Sequence, residues 1–199
     1  VERKLAKQGK YRELVENLEE QGHNAATPKQ KIALLERIAS IHEEEFLDQK
    51  SAARALERAL EADPGRVSAM ASLVRHLRVL ERWEEASRLY ERQLELVEAP
   101  AERVTLGMAW GRLLADQLGY SDRAVHAYEL VLQSDPEHAG ALEALAKLQE
   151  TTGDADRALD AILTLAEQAE NPTTRSEQYL RAAKLLDARG NRDQAIEHY

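Results

Sequence analysis

The 199-residue chain contains no cysteine. Disulfides and thiolate metal sites are thereby excluded, and the composition suits a reducing, cytoplasmic compartment. Positive charge is in deficit: 27 Lys and Arg face 36 Asp and Glu, for a net charge of −9. A nucleic-acid partner needs a basic face, so this balance weighs against one. Aromatics are only 5 % of the residues, which also leaves few rings for stacking bases. No stretch approaches 18 uninterrupted apolar residues, so no membrane span is expected. No signal peptide and no initiator methionine are present: the chain opens at Val1 and stops at "AIEHY" (195–199). The expectation is a segment excised from a longer protein, with truncated ends through which it could self-associate.

What the sequence does have is helix formers. Ala, Leu, Glu and Arg dominate, and hydrophobic residues reach 43 %. An all-α protein follows. Its Ala- and Arg-rich composition points to a GC-rich bacterial source.

Only five prolines occur, at Pro28, Pro64, Pro100, Pro136 and Pro172, each 36 residues after the last. Proline inside a helix costs about 3 kcal/mol, so these residues mark breaks or first turns. A fixed period of this length signals stacked supersecondary units. Six, ten and thirteen residues after the prolines stand Leu34, Ile38 and Ile41, then Met70, Val74 and Leu77, then Leu106, Trp110 and Leu113. Those offsets form one helical stripe, so a first helix follows each proline. A second helix carries a small residue and a large one four later: Ala52–Leu56, Ala86–Tyr90, Ala124–Tyr128, Ala158–Ile162 and Ala195–Tyr199. Gly119, Gly153 and Gly190 break the chain between the two helices, as does Gly9 in a partial first unit.

The anchors Leu14, Ala52, Ala86, Ala124, Ala158 and Ala195 are spaced 38, 34, 38, 34 and 37. Longer and shorter units alternate, and the Asp-Pro step at Pro64 and Pro136 belongs to one class only. The longer first helices are expected from about 29 to 47, 101 to 118 and 173 to 189. The domain reading is one array: a partial unit at 1–27, units near 28–63, 64–99, 100–135 and 136–171, and a partial unit at 172–199.

The segments "AARALERALEADP" (52–64), "EASRLYERQLELVEAP" (85–100) and "AVHAYELVLQSDP" (124–136) resemble the tetratricopeptide repeat. The resemblance implies a right-handed superhelical α-solenoid of stacked antiparallel hairpins, with the first helices lining a concave face. It implies a protein-interaction scaffold rather than an enzyme. Two other readings stay open. "ALERAL" and "LYERQL" are similar to the half-tetratricopeptide variant of RNA-processing scaffolds, and the segment could be the accessory region of a larger enzyme.

No chemical constellation competes. His42 and Glu45 in "IHEEEF" (41–46) are three apart on a helix, but no His-Glu-x-x-His exists, so no metal and no cofactor are expected. Ser and Thr are sparse, and no nucleophile–base spacing is legible. Eleven residues after their prolines come Arg75, Gly111 and Lys147, with Arg78 one turn beyond Arg75. A basic inner face of this kind would hold an acidic peptide or a terminal carboxylate; the plainer alternative is cations paired with nearby glutamates. Gly107 and Gly111 read either as a close helix contact or as an open trough. Trp83 and Trp110 read first as packing between helices.

Overall fold

The computed structural model describes residue 5, residues 8–191 and residues 194–196. Among these there is no strand, and the all-α expectation holds. The helices are α1 (Tyr11–His23), α2 (Pro28–Glu44), α3 (Gln49–Ala62), α4 (Val67–Val79) and α5 (Trp83–Leu96). They continue as α6 (Pro100–Leu113), α7 (Ser121–Ser134), α8 (Ala139–Thr152), α9 (Ala155–Gln168) and α10 (Pro172–Ala188). They divide into two compact units, Val1–Leu96 and Val97–Tyr199. The first holds α1 and the hairpins α2–α3 and α4–α5. The second holds the hairpins α6–α7 and α8–α9, followed by α10.

The two classes of proline do different work. Pro28, Pro100 and Pro172 each open a helix, where the missing N–H has no partner to lose. Thr27 and Asn171 cap two of these starts, accepting from the Gln30 and Thr173 amides. Pro64 and Pro136 instead sit in tight turns before the next helix. In the first, Asp63 Oδ1 accepts the Gly65 N–H at 3.1 Å and the Asp63 carbonyl accepts from Arg66. Asp followed by Pro suits the first two positions of such a turn. That is why the Asp-Pro step recurs only in alternate units.

Each first helix turns into its second helix through one left-handed residue. These are Gly9, Leu47, Glu81, Gly119, Gly153 and Gly190, all with φ between 52° and 85°. Each stands five residues before an anchor. The anchors Leu14, Ala52, Ala86, Ala124, Ala158 and Ala195 are at most 2 % exposed. Leu56, Tyr90, Tyr128 and Ile162 are buried as expected, and each such side chain contributes about 1.5–3 kcal/mol by transfer from water. Tyr199 and His198 lie outside the described residues.

The alternation in length also has a local cause. In α6 the helix widens into a π turn over Leu114–Leu118, and the Tyr120 N–H reaches back six residues to Leu114 O at 2.9 Å. The Asp48 amide reaches back six to His42 O in the same way. In the shorter hairpin the Arg82 amide reaches back only five, to Leu77 O. The amide of Asn191 also spans five, which accounts for the last anchor spacing of 37 rather than 38.

Candidate partner-binding face

Within each unit, arginine–glutamate pairs join successive hairpins. Arg58 on α3 grips Glu19 on α1 through two hydrogen bonds of 2.6 and 2.8 Å. Arg66 grips Glu36 with two of 3.0 Å, and Arg75 on α4 grips Glu43 on α2 at 2.9 and 3.4 Å. The contacts advance along α2 and α4 in the same sense, so these two first helices run parallel. Arg82 is shared between Glu57 and Glu85. In the second unit Arg181 on α10 binds Glu143 and Glu150 of α8, and Arg189 binds Asp156. These guanidiniums hold Glu19, Glu85 and Asp156 below the usual carboxylate range. Solvent screens pairs this exposed, so they set register more than they supply stability.

His76 belongs to this junction. It is 1 % exposed, and its Nδ1–H donates to Gln49 Oε1 at 2.6 Å. Its Nε2 lies 3.7 Å from Glu43 Oε2. Burial pushes the imidazole's pKa down, against the pull of Glu43.

The four sequence-derived candidates separate. Arg75 is exposed but already engaged by Glu43, as the plainer alternative had it. Gly111 offers no open trough. A Cβ there would meet ring carbons of Tyr128 at 2.6–2.9 Å, and one at Gly107 would meet Val131 Cγ2 at 2.6 Å. The two glycines let α6 lie hard against α7. Arg78 and Lys147 are exposed and form no ion pair among the described residues. Trp110 is buried, edge-on to His126 with Arg123 over its ring at 5.8 Å, so it packs between helices.

Two cations escaped the sequence reading. Lys147 and Lys184 each stand six residues before a left-handed glycine, and Arg112 stands seven before Gly119, where the π turn adds one residue. The three therefore share one register on α6, α8 and α10 of the second unit. All are exposed, and none forms an ion pair among the described residues. Counting twelve rather than eleven residues after Pro100 and Pro172 would have found Arg112 and Lys184. Lys184 also overhangs a shallow groove of about 450 Å³ lined by Leu180, Leu185, Glu150 and Arg181. Leu180 is 41 % exposed there.

Residues 69–104 match the tetratricopeptide-repeat family. The chain has the tetratricopeptide-repeat fold. YrrB, described as a tetratricopeptide protein with an unusual peptide-binding site, superposes with a TM-score of 0.57 at 18 % identity, over 83 % of this chain and 81 % of that one. MamA (41-end) from Desulfovibrio magneticus RS-1 gives 0.54 at 14 % identity, over 84 % and 90 %. A structure of Naa15/Naa10 bound to HypK gives 0.56 at 22 % identity, over 84 % of this chain but only 24 % of that one. By sequence, no curated protein matches the chain. At these identities the likeness carries the repeat fold alone. Among the described residues, no group of His, Asp and Glu could hold a metal ion, and no helix is long and apolar enough to cross a membrane.

Proposed function

We propose that this tetratricopeptide chain is a non-catalytic protein-interaction scaffold, and that its first-helix face holds an acidic partner segment. The observation that carries this reading is the recurrence of Arg112, Lys147 and Lys184 at one register without internal partners. Most other arginines at the hairpin junctions are consumed by glutamates of the preceding helix or hairpin. An exposed cation row gains little for the fold, whereas an incoming carboxylate gains a charge-assisted hydrogen bond at each member. The groove beside Lys184 supplies an apolar seat, so the preferred segment combines Asp or Glu with a large aliphatic residue. In the first unit the same register on α4 is held by Arg75, which Glu43 already engages.

The test uses a fluorescent peptide of roughly ten residues, rich in Glu and carrying one Leu. Its anisotropy should rise with the wild-type chain. Lys147→Glu with Lys184→Glu should weaken binding by about tenfold or more, and a Lys-rich peptide should show no rise. Wild-type affinity in the double variant would remove the first-helix face from consideration.

A further inference from the structure

We propose that the edge of the first unit formed by the α2–α3 and α4–α5 turns docks a basic amphipathic segment of a partner protein, with Leu47 as its apolar contact. This is a different surface from the first-helix face and prefers a ligand of opposite charge. The parallel course of α2 and α4 brings both turns to one edge. Three large apolar side chains are exposed there: Leu47 at 78 %, Val79 at 65 % and Phe46 at 36 %. They flank the contact between Gln49 and His76, which ties the two turns together. Single exposed apolar residues are ordinary, but three on adjoining turns form a patch.

The backbone makes Leu47 costly. It sits at φ 52°, where four of the six equivalent turns use glycine. A Cβ at any of those four glycines would meet nothing within 4 Å. The glycines are thus present for conformation alone. A leucine in their place loses that ease and also exposes its side chain to water. Leucine at this position is unfavourable to the fold alone, as expected where a side chain has work outside it.

Charge selects the occupant. Residues 43–50 and 78–85 carry seven acidic side chains against three basic ones. Arg82 is engaged by Glu85 and Glu57, and Glu43 by Arg75; with Arg75 counted, the edge still has three more acidic than basic side chains. Exposed Glu44 and Glu81 neighbour Phe46, Leu47 and Val79 along the chain, and Glu45 carries a hydrogen bond from Tyr11. A segment presenting Leu or Phe between Lys and Arg residues meets both features at once.

The full chain is titrated with a synthetic amphipathic helix of Lys and Leu, and with a second peptide in which every Leu is Ser. The wild type should bind the Lys/Leu peptide at least about tenfold more tightly than the Lys/Ser peptide. Leu47→Gly should lose that advantage while its melting temperature holds or rises, because the change relieves the backbone. Val79→Ser provides a second reading at a position with ordinary φ and should weaken the Lys/Leu peptide in the same direction. Unchanged Lys/Leu affinity in both variants would overturn the proposal, as would equal binding of the Lys/Ser peptide. Lys147→Glu with Lys184→Glu should leave Lys/Leu binding unweakened, which separates this surface from the first-helix face.

Discussion

A left-handed residue at φ 52° is easy for glycine and costs other residues about 1–2 kcal/mol. Leu47 and Glu81 occupy that conformation, as do Gly9, Gly119, Gly153 and Gly190. Thermal or urea unfolding should find Gly119→Ala destabilised by about 1 kcal/mol or more, although the added methyl has open space. Leu47→Gly should gain up to about 1 kcal/mol, because the relief exceeds the added freedom of the unfolded chain. Loss of stability in Leu47→Gly would mean that its side chain packs in a way its exposure denies. His76 gives a second residue-scale outcome. Its pKa in the fold is below the value near 6.5 of an unfolded histidine, since burial disfavours the imidazolium. The stability this represents is whole above about pH 6.5 and is lost as pH falls through the lower folded value. The charged groups that shift it are Glu43 from α2, which opposes the change, and Arg75 from α4, which reinforces it; α3 offers neutral Gln49. His76→Gln should flatten the dependence of melting temperature on pH between about 7 and 5.5. An equally steep variant would place the titrating group elsewhere.

At the scale of the helix, the closest approach is that of α6 and α7. Gly111→Ala would drive a methyl group into the Tyr128 ring, and Gly107→Ala would drive one into Val131 and toward the Ala127 carbonyl. Either should cost about 1–3 kcal/mol despite the better helix propensity of alanine. Pairing Gly111→Ala with Tyr128→Leu should recover part of the loss in denaturant titrations, and full additivity of the two effects would refute the contact. The elements themselves were plain in the sequence. The proline period places α2, α6 and α10 within a few residues of their observed bounds, and the small-then-large pairs mark the second helices. Those signals are local, since a helix stripe and a breaker act within a turn or two. The π turn at Leu114–Leu118 was not legible, because no residue type announces it. Nor were Leu47 and Glu81, since a left-handed position without glycine leaves no mark on the sequence.

Across the whole molecule, the deciding fact is which charges find partners. Arg75 lies 32 residues from Glu43, and Arg181 lies 31 from Glu150. Such pairs depend on how one hairpin seats on the next, so the sequence could nominate Arg75 for a partner and be overruled by an internal glutamate. Lys147 meets no such glutamate among the described residues, and Arg112 and Lys184 join it once the left-handed residues give a common register. Paired cations fix the stacking of hairpins within a unit, and under the proposed function the unpaired ones are left for a ligand. A thermal-shift titration with the Glu-rich, Leu-bearing peptide reads both roles in one experiment, comparing Arg181→Glu with Lys184→Glu. Arg181→Glu places a third carboxylate beside Glu143 and Glu150 and should melt at lower temperature without peptide. Lys184→Glu should melt like the wild type but lose the peptide-induced rise. If Lys184→Glu keeps the full rise, the exposed cations of the first helices do not form the binding surface.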